Sequence, residues 1–108
     1  MIVAEFAYAF TVGEDDAFAN LAGRNLAVPG YLYTPEGQRM MMRDVMAVIR
    51  GVNGGRGLGL FYWDATWTAV PGNGWNTQDA KSGNSWENQA LFDFNDQALP
   101  ALAEFLKP

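Results

Sequence analysis

The 108 residues contain no cysteine and no histidine. Those two absences remove disulfides, thiolate metal sites, imidazole-based triads and histidine-ligated zinc, so any acid–base chemistry must rest on carboxylates. Positive charge is also scarce. Seven Lys and Arg stand against twelve Asp and Glu, a net charge of −5, and no basic cluster occurs. Nucleic acid and anionic membrane surfaces are therefore poor partners. No apolar run approaches the roughly 20 residues that cross a bilayer. The opening MIVAEFAYAF lacks a basic leader and carries Glu5 where a signal peptide needs an unbroken apolar core, so no signal peptide is expected in this chain. Lack of cysteine leaves the compartment open.

What is abundant is aromatic surface: four Trp, four Tyr and seven Phe. The length suits one domain. Ile2 to Tyr8 reads as a near-continuous apolar strand, the kind covered on both faces in a parallel sheet. A long loop from Thr11 to Tyr33 follows, with Glu14-Asp15-Asp16 and four turn-forming breakers, Gly13, Gly23, Pro29 and Gly30. Thr34-Pro35-Glu36 is a helix start, with Thr as N-cap, Pro in the first turn and an acid facing the dipole. The spacing of Met41, Val45, Val48 and Val52, widened by Met42, Met46 and Ile49, predicts an amphipathic helix from Pro35 to about Gly51, stopped by Asn53-Gly54-Gly55. Gly57 to Trp63 is a second strand, and strand–helix–strand predicts a βαβ unit with parallel strands. A second long loop spans Asp64 to Asn88. Ala90 to Phe94 is extended or turn-like, and Leu99-Pro100 opens a short terminal helix to about Leu106. Two parallel strands and two helices do not make a stable domain alone, and both long loops follow strand C-termini, where α/β folds place their sites.

Three groups of residues could carry chemistry. Glu5 lies among Ile, Val, Ala and Phe; buried there, a carboxylate must be paired, hydrogen-bonded or shifted in pKa. It reads either as a structural acid, paired or exposed at an edge, or as a nucleophile or base at the end of a barrel strand. Asp64, directly after the second strand, is either a turn-initiating residue or one of two carboxylates in a hydrolase. Trp63, Trp67, Trp75 and Trp86 include three in a Gly/Asn/Ser-rich loop, and flat rings with a polar tip suit stacking on sugars. Glu14, Asp16 and Asn20 alternate oxygen ligands that could hold calcium, with solvated loop acids as the ordinary alternative.

Several segments together resemble the C-terminal part of glycoside hydrolase family 53, the endo-β-1,4-galactanases acting on arabinogalactan. They are Val3-Ala4-Glu5 with Ala7-Tyr8 and Phe10-Thr11, Thr34-Pro35-Glu36-Gly37-Gln38, Gly57 to Trp63 with Trp67, and Trp86 to Phe94 closing on Ala98-Leu99-Pro100. The resemblance implies an α/β fold comprising the last two strand–helix units of a (β/α)8 TIM barrel, with residues 1–108 a partial catalytic domain, since such barrels typically need about 250 residues. It places Glu5 as the catalytic nucleophile at the end of strand seven and Trp63 at the end of strand eight as an aromatic platform. Asp64, Trp67 and Trp86 are further substrate contacts. The family's general acid/base, a Glu on the fourth strand, has no match here, so the chain alone is expected to be inactive. Asp64 does not replace it, because the family carries an acid there in addition to the pair.

The implied substrate is β-1,4-galactan, and the implied location of the whole enzyme is extracellular or periplasmic. No cofactor is required. Some bacterial members bind calcium through Asp-x-Asp-x-His-x-Asn, matched here by Glu14, Asp16, Phe18 and Asn20, with further oxygens at Asn84 and Glu87; Phe18 cannot ligate. The family's Trp-Glu-Pro-Ala-Trp is replaced by Trp63-Asp64-Ala65-Thr66-Trp67. Two other classes stay open: a non-catalytic carbohydrate-binding module, and a truncated chain that self-associates through uncovered faces.

Overall fold

The structure, a computed structural model, describes residues 1–107. Strand β1 (Ile2–Phe6) is followed by the long loop, helix α1 (Pro35–Arg50) and strand β2 (Gly59–Tyr62). The terminal segment Pro100–Leu106 is a 3₁₀ helix packed on α1. β1 and β2 pair in parallel, with Ile2 opposite Gly59, Val3 opposite Leu60 and Phe6 opposite Tyr62. The predicted strand–helix–strand order and parallel pairing are present, as a few α/β elements consistent with part of a (β/α)8 barrel; no closed barrel forms among the described residues. No helix among them is long and apolar enough to cross a membrane.

Helix α1 starts where its N-cap chemistry predicts. The Thr34 hydroxyl accepts the Gly37 N–H at 3.0 Å, Pro35 lacks the N–H that would be orphaned there, and Glu36 faces the positive end of the dipole. The buried stripe follows the flank of the predicted face, Met42, Met46 and Ile49, and not its centre at Val48. Gln38, Met42 and Ile49 are fully covered, with Met46 packed beside them, whereas Val48 is 69% exposed. Hydropathy alone selected the valines; the sheet meets α1 one residue round, because a polar Gln38 is drawn into the core by backbone carbonyls that need a donor. The core itself is small: Met42, Leu91 and Ala101, surrounded by Phe6, Met46, Leu60, Tyr62, Ala65, Phe92 and Leu102.

β1 is not covered on both faces. Val3 lies beside Met41, Val45 and Ile49 of α1 and Phe6 packs on the core, while Ile2, Ala4 and Glu5 are exposed. On β2, Leu60 and Tyr62 pack inward and Phe61 is 66% exposed. One layer of helix covers one face of the pair, and nothing within the described residues covers the other. The radius of gyration, 14.8 Å, exceeds the value of about 13 Å typical of a compact chain of this length. The molecule is elongated, measuring 48 × 28 × 24 Å along its principal axes.

Candidate active site

The ends of the two strands meet. Three residues of β1 (Ala4, Glu5 and Phe6) advance while β2 advances two, from Leu60 to Tyr62. This bulge sets Ala4 and Glu5 together opposite Phe61. An extra residue in one strand switches the side-chain alternation, so Val3 and Phe6 both face α1 and Glu5 is turned to the uncovered face. The Trp63 N–H donates to the Phe6 carbonyl at 2.8 Å, which brings Trp63, 48% exposed, beside the residue that follows Glu5. Glu5 is solvent-exposed and has no ion-pair partner among the described residues. Of the conditions open to Glu5, paired on burial or exposed at an edge, the described residues leave it exposed, because no second layer covers this face.

Asp64 begins a turn, with φ of 52° and its carbonyl accepting the Trp67 N–H at 3.1 Å. Aspartate tolerates that left-handed backbone better than Glu-Pro does. The tryptophans divide into two sets. Trp67 and Trp86 stack at 4.9 Å with planes 7° apart, and Trp75 meets Trp86 edge-on at 6.3 Å; Trp63 stands apart at the strand end. An open cleft of about 670 Å³ lies between the two long loops, bounded by Asp16, Phe18, Val70, Pro71 and Lys81; neither Glu5 nor Trp63 lines it. Glu5 stands outside that cleft, near the C-terminal end of β1.

A polar network under the strand ends was invisible to hydropathy. Gln38 is buried, and its amide nitrogen donates to the carbonyls of Tyr8 and Ala90, both at 2.9 Å, with the Tyr62 hydroxyl at 3.3 Å. Tyr62 donates to the Gln89 carbonyl at 2.8 Å. Burial, offset in part by these contacts, pushes its phenol up to about 12. The Tyr8 hydroxyl accepts the Val28 N–H and donates to the Tyr31 carbonyl, tying the first loop to the same centre. The signal in the sequence was Gln38 in the first turn of the helix, four residues before Met42, and that signal is weak.

The residues matched to calcium lie where the two long loops touch. Asp16 accepts the Phe18 N–H on one oxygen and the Asn84 N–H on the other. Glu87, buried, accepts the Asp15 N–H at 2.6 Å, and burial is the main cause raising its carboxyl above the usual range. Asn20 donates to the Gly13 carbonyl, and Glu14 is exposed. Calcium takes six to eight oxygen ligands. Among the described residues no three acids converge on one point. Glu87 Oε2, Asn20 Oδ1 and Asn88 Oδ1 are the buried oxygens left without partners here. As arranged, the set does not fit a calcium cage.

The family model for glycosyl hydrolase family 53 matches residues 1–105. The chain belongs to glycosyl hydrolase family 53. It is 31% identical to an endo-beta-1,4-galactanase of Bacillus subtilis (strain 168) over 97% of its own length and 30% of that protein's. Against a solved structure of an Ignisphaera aggregans GH53 catalytic domain it has a TM-score of 0.85 and 47% identity, covering 96% of this chain and 29% of that one. A structure of fungal beta-1,4-galactanases shares the fold at a TM-score of 0.60 and 24% identity. The chain thus spans under a third of the length of these relatives, a part of a glycoside hydrolase domain.

Proposed function

We propose that residues 1–108 are the nucleophile-bearing C-terminal part of a retaining endo-β-1,4-galactanase, acting on galactan in arabinogalactan and pectin side chains outside the cell or in the periplasm. The observation that carries this reading is the bulge in β1, which turns Glu5 away from α1 at the strand's C-terminal end, next to Trp63. In a (β/α)8 barrel the face opposite the helices is the interior, and reactive groups stand at the C-terminal ends of strands. A carboxylate there attacks the anomeric carbon while Trp63 supports the sugar ring. Asp64, Trp67 and Trp86 supply further contacts along the polymer.

Retention requires a second carboxyl group about 5–5.5 Å from the nucleophile to protonate the leaving oxygen. Nothing in this sequence matches the family's acid/base, so the chain alone is expected not to turn over galactan. Its uncovered face seeks either the remaining strands of a barrel or another copy of itself. No cofactor is needed for the carboxylate pair to work.

The test is a chimaera in which residues 1–108 replace the equivalent C-terminal segment of the 47%-identical Ignisphaera aggregans domain. It should release galacto-oligosaccharides from galactan, and Glu5→Gln should lower kcat roughly 10³-fold or more with galactan affinity nearly kept. A folded Glu5→Gln chimaera as fast as its parent would exclude Glu5 as nucleophile.

A further inference from the structure

We infer that the two mouth loops are joined by a metal-free latch, centred on Asn84, that holds the Trp67–Trp86 stack in place. Asn84 commits its backbone N–H and both side-chain polar atoms to this task. Its N–H donates to Asp16 Oδ2 in the first loop, its Oδ1 accepts the Trp86 N–H at 3.0 Å, and its Nδ2 donates to the Trp67 carbonyl at 2.8 Å. One buried side chain therefore bonds both members of the stacked pair while its backbone is gripped from across the gap. The neighbouring residue adds shape. Gly83 has φ of 70°, and a Cβ built on it would run into the ring of Phe18, so the ring lies directly on the glycine backbone. The Leu21 N–H to the Ser85 carbonyl at 2.9 Å completes the seam.

Phe18 stands at the position that the resemblance to the Asp-x-Asp-x-His-x-Asn loop assigns to His. An aromatic hydrocarbon offers a hard cation no ligand atom; this ring, 42% exposed, rests on Gly83, the residue before the Asn84 whose N–H makes a charge-assisted bond to Asp16. Direct contact joins the two loops at this seam. The three unpartnered oxygens, on Asn20, Glu87 and Asn88, are where a cation would have to sit for this inference to fail.

The test uses the 108-residue chain itself, with the exciton couplet of the stacked indoles in circular dichroism as the report of the pair and thermal unfolding as the report of the fold. Wild type should give the same couplet and the same midpoint in millimolar calcium chloride and in EGTA. Phe18→Ala should lose most of the couplet and lower the midpoint by a few degrees, with calcium restoring neither. Phe18→Leu, which keeps apolar bulk over Gly83, should keep the fold with a partial loss of couplet, and decides the matter if the alanine variant does not fold. A calcium-dependent rise of the wild-type midpoint, which mass action demands of any ion bound to the folded state, would overturn the inference. So would a couplet untouched by either substitution.

Discussion

The Trp63 N–H donates to the Phe6 carbonyl at 2.8 Å, locking the end of β2 against the residue that follows Glu5. Because this bond is made by backbone, replacing either side chain leaves the strand ends in register. Trp63→Ala in the chimaeric barrel should therefore raise KM and lower kcat together, by roughly tenfold in kcat/KM for each 1.4 kcal/mol of lost stacking. Steady-state rates on galactan check it, and an unchanged KM would mean that the indole packs within the protein instead of under the sugar.

Helix α1 meets the sheet through Met42, not Val48. Met42 has no exposed surface, and its replacement by Ala should cost about 2–5 kcal/mol through lost burial and the cavity left behind. Val48→Ala should stay within about 0.5 kcal/mol, as for most exposed positions. Urea unfolding of the two variants decides between the observed stripe and the one centred on Val48 that hydropathy suggests.

Glu104 is buried and held below the usual carboxylate range by Lys107 first and by Arg39 as well, at 2.7 and 2.8 Å. A depressed carboxyl favours folding at pH values above its unfolded value of about 4.3, and that contribution disappears as pH falls through the lower folded value. Thermal midpoints measured at stepped pH should fall below about pH 4 more steeply for wild type than for Glu104→Gln. Equal acid slopes would show that the Glu104 pairs do not couple to folding.

Phe61 projects from the uncovered face opposite the bulge, amid exposed Ile2 and Ala4. An apolar strand pair of that kind is a docking surface for like surfaces. Sedimentation velocity of the 108-residue chain should show association that Phe61→Lys shifts toward monomer. Identical distributions for the two proteins would place the contact elsewhere.

Much of the frame was legible in the residues. Thr34-Pro35-Glu36 marks the start of α1 because capping is a local bargain between one side chain and nearby N–H groups, and the parallel βαβ order follows from element order and crossover length. The turn at Asp64 was legible for the same reason. The bulge was not. Ile2 to Tyr8 reads as an even apolar run, and nothing in that run announces that alternation slips between Val3 and Phe6. Gln38 was missed because polarity argues against a core place until two unpaired carbonyls, on Tyr8 and Ala90, are known to face it.

By itself the sequence determined what chemistry is open to this protein, because the lack of histidine and cysteine and the single acid in the first strand are matters of composition and order. It also determined where α1 begins and that the strands run in parallel, since both depend on neighbours in the chain. Only the tertiary structure decided which way Glu5 points and which tryptophans stack. Those outcomes depend on strand register and on contacts between residues such as Asp16 and Asn84, 68 positions apart, whose meeting no local pattern encodes.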